Sequence, residues 1–157
     1  MSVLKVHLTY HCTAQCDHCR FRCTRRSSPA IDYDLVMECV DALKRLNHLE
    51  LVVLMGGEPG LFPELTHRLT AAITTMGVAV RVETNAFWAT DDEAARRFLE
   101  PLYEQAASVM FSLDAWHEPF VPPERVVRAA RISEALGGQY NLEMSYLAFP
   151  SCEHERD

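Results

Sequence analysis

The sequence predicts an α/β fold in which parallel strands alternate with helices and the chemistry gathers at one rim of the sheet. Three observations carry this reading. After a first strand and a long loop, strands begin near Leu49, Val78, Ser108 and Gln139, a cadence of about thirty residues that suits βα units with right-handed crossovers. The run Leu49–Met55 (LELVVLM) is almost continuously apolar, as expected for a strand covered on both faces of a parallel sheet. Each chemistry-bearing motif follows the carboxyl end of a strand, which is where ligands bind in sheets of this kind.

The elements follow in order. Val3–Thr9 alternates as a first strand and ends at a cysteine-rich loop that runs through Ser27-Ser28-Pro29. Asp32 or Asp34 is placed to cap a helix near Tyr33–Leu46, with Leu35, Val36, Cys39, Val40, Leu43 and Leu46 on one face. Cys39 on that face is expected to be a small buried hydrophobe. After the second strand, Pro63–Met76 is amphipathic, with Leu65, Leu69, Ala72, Ile73 and Met76 inward and Gly77 as its cap. Val78–Thr84 is the third strand. Thr90-Asp91-Asp92-Glu93 has the form of a capping box and opens a helix to about Tyr103. Ser108–Asp114 is the fourth strand, Pro122-Pro123 starts a helix that ends at Gly137-Gly138, and Gln139–Ala148 is the fifth strand.

With 157 residues, 48% of them apolar, the chain can bury a substantial core as one domain, residues 1–150, followed by a charged tail over 151–157. A net charge of −7 argues against a protein that tracks a phosphate backbone by counterion release. Arg20, Arg22, Arg25 and Arg26 nonetheless cluster after the cysteines, as a solvated loop or as a holder of an anionic group. No apolar run is long enough for a bilayer and no signal-peptide pattern opens the chain. The expectation is a cytoplasmic, reduced protein whose clustered cysteines bind metal rather than forming disulfides.

Cys12, Cys16 and Cys19 form a C-x3-C-x2-C array in a short polar loop. Soft thiolates select zinc or iron–sulfur clusters. Structural zinc is normally closed by a fourth protein ligand, whereas a cubane on three cysteines leaves one iron open. Cys23 extends the array and can complete a zinc site or lie near a cluster, and His11 and His18 can pack nearby or be solvated. Gly56-Gly57-Glu58-Pro59 follows the second strand, and a zinc site gives no reason for that turn.

Together, the C-x3-C-x2-C loop after strand one and the Gly-Gly-Glu-Pro turn after strand two resemble the two signatures of the radical S-adenosylmethionine (radical SAM) superfamily, and the Ser112-x-Asp114 segment resembles that of its peptide-modifying members. The resemblance covers nearly the whole chain and implies a partial (β/α) barrel, of which about five units are present. It implies that Cys12, Cys16 and Cys19 hold three irons of a [4Fe–4S] cluster, with S-adenosylmethionine on the fourth. Gly56, Gly57, Glu58 and Pro59 then bind the methionine moiety, and Asn85 and Ser112 match positions that hold the carboxylate or the ribose hydroxyls. It implies reductive cleavage to a 5′-deoxyadenosyl radical that abstracts hydrogen from a peptide or small-molecule substrate, with flavodoxin or ferredoxin as electron donor. The alternative is a non-catalytic domain holding zinc or a silent cluster.

Asp114 and His117, after strand four, can contact substrate or act as an acid–base pair, or belong to a helix-entry loop that Trp116 covers. Phe87 and Trp88 can line a pocket or cap the sheet. Cys152 with His154 can begin a further metal site. The fifth strand is an edge that self-association or a partner chain is expected to cover. Neither a nucleic-acid nor a membrane partner is expected.

Overall fold

The computed structural model describes residues 2–46 and 49–145. Five strands form one sheet in the order β1-β2-β3-β4-β5, all parallel. They are β1 Ser2–His7, β2 Leu49–Met55, β3 Ala79–Thr84, β4 Ser108–Ser112 and β5 Gln139–Glu143. Between them run α1 Tyr33–Leu46, α2 Pro63–Thr75, α3 Asp92–Glu104 and α4 Pro123–Ala135, with one 3-10 turn at Pro59–Leu61. The expected alternation of five strands and four helices is what the chain forms.

Register explains the shape. Val6, Leu54, Val82 and Val109 are partners across adjacent strands, and all four are buried with Val36 and Val40 of α1, Leu69 and Ile73 of α2, Leu99 of α3 and Ile132 of α4. Every helix therefore packs on the same face of the sheet. Side chains alternate along a strand, so the neighbouring row, Lys5, Val53, Arg81, Ser108 and Gln139, lies on the other, open face. A sheet with helices on one side only is the barrel kind of α/β architecture rather than the doubly wound kind.

Local chemistry sets the ends. Asp32 Oδ1 accepts from Leu35 N at 3.0 Å at the start of α1, and Asp91 accepts from Ala94 N at 2.8 Å to cap α3. Gly77 and Gly137 close α2 and α4 at φ of +75° and +65°. Arg128 of α4 donates to the carbonyls of Ala89 and Thr90 and pins the loop before α3.

Several expectations need correction. β1 stops at His7 and β4 at Ser112. Leu8 N and Leu113 N still donate to Met55 O and Glu143 O, but the Leu8 carbonyl accepts from Ile31 N and the Asp114 carboxylate from its own turn, so the strand pattern ends there. Cys39 is exposed rather than buried. It shares the Leu35 side of α1, which extends past the edge strand β1 and finds no strand to cover it. Trp88 is a core residue: it stacks on Phe98 at 4.3 Å and donates Nε1–H to Thr84 Oγ1. β5 stops at Glu143, with Met144 and Ser145 beyond the strand rather than in it; Ala148, Cys152, His154 and the tail over 151–157 lie outside the described residues.

Candidate active site

The cysteine loop is closed at its base. Cys12 N donates to Thr24 O and Thr24 N to Tyr10 O, while Cys19 N and Arg22 N close two successive turns on Cys16 O and Cys19 O. These turns gather Cys12, Cys16, Cys19 and Cys23 with Ala14 and Phe120 in one cluster. Burial pushes the Cys12 thiol up to about 12 and the Cys16 and Cys23 thiols up to about 11. Neighbours add to this: the Asp114 carboxylate for Cys16 and the Cys19 side chain for Cys23.

The glycine turn abuts this loop directly. Gly57 N donates to Thr9 O at 2.7 Å and Glu58 N to His11 O at 2.9 Å. A methyl group on Gly57 would land within 2.5 Å of the His11 carbonyl carbon, and one on Gly56, at φ +131°, 2.7 Å from Thr9 O. The close approach that these glycines permit is thus to the cysteine loop's own backbone.

Glu58 is 1% exposed, and its carboxylate accepts from Gly60 N at 2.8 Å, Thr84 Oγ1 at 2.6 Å and Asn85 N at 2.8 Å. Burial lifts its pKa to about 7 against these three donors. Its oxygens are engaged within the chain, so Glu58 ties the turn after β2 to the end of β3. Asn85 continues the connection: Nδ2 donates to Thr13 Oγ1 at 3.0 Å and lies 3.8 Å from Cys12 Sγ, while Oδ1 accepts from Phe87 N.

The cysteines, Gly56, Gly57, Glu58, Asn85, Ser112 and His117 line a single cleft. Pro59 is buried behind the turn in the 3-10 segment. Asp114 is buried, and its Oδ1 accepts from Trp116 N, His117 N and His117 Nδ1, the last at 2.8 Å; Oδ2 accepts from Ser145 N. Burial works to raise the Asp114 pKa, but the hydrogen bond and charge of His117 and the backbone donors outweigh it and hold the carboxyl below its usual range. Asp114 is therefore ionised, and His117 Nδ1 carries the proton between them.

Sequence reasoning missed one group, Glu83, and one contact, that of His18 with Asp114. Glu83 lines the cleft from the open face of β3, and strict alternation along AVRVET would have placed it opposite Val82. His18 Nε2 lies 3.9 Å from Asp114 Oδ2 and its ring 5.7 Å from that of Trp116, a junction of distant segments that no local pattern announces. His18, Asp114 and His117 offer three donors within 4.8 Å of one another, but the three hydrogens already on Asp114 Oδ1 make this a hydrogen-bonded bracket rather than a metal cage.

A family model, the Radical SAM superfamily, matches residues 6–145. A curated relative, "Putative peptide biosynthesis protein YydG" of Bacillus subtilis (strain 168), is 22% identical over 119 residues, which is 75% of this chain and 37% of that protein. Among solved structures, anSMEcpe with bound AdoMet superposes with a TM-score of 0.63 at 21% identity over 90% of this chain and 42% of that one. Methylornithine synthase (PylB) gives 0.60 at 17% identity, over 92% and 44%. The chain spans less than half the length of each, and the structural likeness at these identities speaks to fold. No helix among the described residues is long and apolar enough to cross a membrane. The model match over most of the chain, with both signatures at one cleft, identifies the protein as a member of the radical SAM superfamily.

Proposed function

We propose that this chain forms the cofactor-binding part of a radical SAM enzyme that acts on a peptide. The observation that carries the proposal is the convergence of the two signatures: Cys12, Cys16 and Cys19 share one cleft with Gly56, Gly57 and Glu58. A structural zinc is closed by a fourth protein ligand and gives no reason for the glycine turn at the same cleft. Cys12, Cys16 and Cys19 would hold three irons of a [4Fe–4S] cluster and leave the fourth to S-adenosylmethionine. Bound together, these groups supply one-electron cleavage of the sulfonium to a 5′-deoxyadenosyl radical that abstracts a substrate hydrogen.

The chain's own residues do the positioning. The turn Gly56–Pro59, locked to Thr9 and His11, supplies backbone polar groups to the methionine moiety. Asn85 holds Cys12 and Thr13 in register with β3, and its amide and the Ser112 hydroxyl serve the carboxylate or the ribose. Buried thiols and the packed Phe120 keep water from the site. His117, with Nδ1–H held by Asp114, presents Nε2 as the acid–base group beside the substrate. The electron comes from a small redox protein of the flavodoxin or ferredoxin kind. A peptide substrate is supported by the name of the Bacillus relative and by the likeness to anSMEcpe with AdoMet and the Kp18Cys peptide, which superposes with a TM-score of 0.63 at 19% identity.

Anaerobic reconstitution followed by iron and sulfide analysis, then incubation with dithionite and S-adenosylmethionine, tests the proposal. Iron and sulfide in equal amounts and formation of 5′-deoxyadenosine are expected. Retained zinc, or a cluster that yields no 5′-deoxyadenosine, contradicts it.

A further inference from the structure

Away from the cleft, a groove of about 760 Å³ runs along the free side of β1, where Leu4, Val6, Ile31 and Leu35 form its walls and Tyr10 and Phe21 its mouth. β1 is an edge strand, paired only with β2 among the described strands. Residues 28–31 cover just its upper end, where Ile31 N donates to Leu8 O and Ser28 Oγ accepts from Tyr10 N. Tyr10 and Phe21 remain 59% and 38% exposed, held on either side of His7, whose ring centroid lies 6.1 Å and 3.8 Å from theirs.

Charge singles out what fits here. The chain carries 22 acidic against 15 basic side chains. Yet Arg20 and Arg22, which flank Phe21 in the chain, and Arg25 and Arg26, which precede Ser28, are all exposed and have no ion-pair partner among the described residues. Arg45, Arg96 and Arg131 on the helices are each paired with a carboxylate. Exposed aromatics in a loop that also carries unpaired, exposed arginines have the composition of a binding surface. Guanidinium groups favour carboxylates, which they can bind in pairs of parallel hydrogen bonds. An open strand edge takes an extended chain, with alternate side chains entering a groove beside it.

We propose that this groove docks an acidic, extended peptide segment that adds to β1 as a strand, with alternate apolar side chains in the groove and its carboxylates on Arg20, Arg22, Arg25 and Arg26. The inference rests on the reading of a peptide substrate and says where a part of that substrate remote from the reacting residue is held. The acidic remainder of the surface repels such a segment elsewhere, so the arginines also steer it.

The test is binding of a fluorescein-labelled decapeptide alternating glutamate and valine, measured by anisotropy on the full chain before and after cluster reconstitution. Two controls replace all glutamates by lysine, or two valines by proline. The acidic probe is expected to bind at least tenfold more tightly than either control and to weaken as salt is raised. Binding is expected to shield Cys39, which lines the groove, from iodoacetamide. The combined change Arg20→Gln, Arg25→Gln, Arg26→Gln, at exposed positions that the core does not use, is expected to weaken binding tenfold or more, and Phe21→Ser likewise.

Equal binding of the lysine or proline peptide, no binding, or an unshielded Cys39 overturns the proposal. So does a concentration-dependent dimer that Phe21→Ser abolishes, which would give the groove to a second copy. An acidic ferredoxin that binds through the arginines while Cys39 stays reactive assigns them to a redox partner instead. Failure of cluster assembly with probe binding intact sinks only the enzymatic reading, and the converse result sinks only this one.

Discussion

The contact between the glycine turn and the cysteine loop is open to a sharp test by adding a single methyl group at Gly57. An alanine Cβ there would come within 2.5 Å of the His11 carbonyl, which is backbone and cannot swing aside. The turn must retreat by about an ångström, which breaks Gly57 N to Thr9 O and Glu58 N to His11 O. Each donor left dry by losing its acceptor costs about 1–3 kcal/mol. For the two donors the expected loss is therefore about 2–6 kcal/mol, a large part of a typical domain's stability of roughly 5–15 kcal/mol. For a domain of this size that corresponds to a melting temperature lower by about 10 °C. Thermal denaturation followed by circular dichroism reads the stability, and iron content after reconstitution reads the loop. Gly57→Ala should lose both, and Gly56→Ala, whose added methyl group meets Thr9 O at 2.7 Å in a strained backbone conformation, should follow it. A Gly57→Ala protein with unchanged melting and full iron would refute the argument that these glycines exist for the loop's backbone.

Three further outcomes follow from the structure. Glu58 is lifted from 4.5 to about 7 by burial, so the folded chain holds a proton that the unfolded chain releases. The stability this confers is complete below about pH 4.5 and is lost as pH rises through about 7, on the order of 3 kcal/mol in all. Urea midpoints should fall between about pH 5 and about pH 8 and fall less in Glu58→Gln; equal slopes would remove Glu58 as the cause. Trp88→Phe deletes the donor to Thr84 Oγ1 while keeping the ring stack, and should cost about 1–2 kcal/mol in chemical denaturation, with no change if that bond is idle. Asp114→Asn removes the charge that orients His117; peptide-dependent product formation should drop about a hundredfold with a displaced pH profile, and an unmoved profile would exclude an acid–base pair.

Much of the architecture was legible because the information is local. The apolar run of β2, the helical spacing in α2, and the caps at Asp91, Gly77 and Gly137 each report their own element. What escaped depends on partners far away in sequence. Cys39 looks buried from periodicity alone, but α1 overhangs the last strand on its side. The glycines read as room for a ligand; that they also make room for the Thr9 and His11 backbone could not be seen from the motif. Strands one and four seemed longer because their apolar ends continue into loops whose backbone groups bond elsewhere. In the site, the three cysteines, Ser112 and the glycine turn could be located by motif and strand end. The Glu58–Thr84–Asn85 connection and the His18–Asp114 approach required the sheet to be folded first.

The most direct measurement is the electron paramagnetic resonance spectrum of the reduced, reconstituted protein with and without S-adenosylmethionine. If three thiols leave one metal position open to that molecule, its addition reshapes the signal, and Cys12→Ser, Cys16→Ser or Cys19→Ser abolishes the signal while Cys23→Ser does not. A spectrum indifferent to S-adenosylmethionine, or a centre that needs Cys23 as its fourth ligand, would contradict the account.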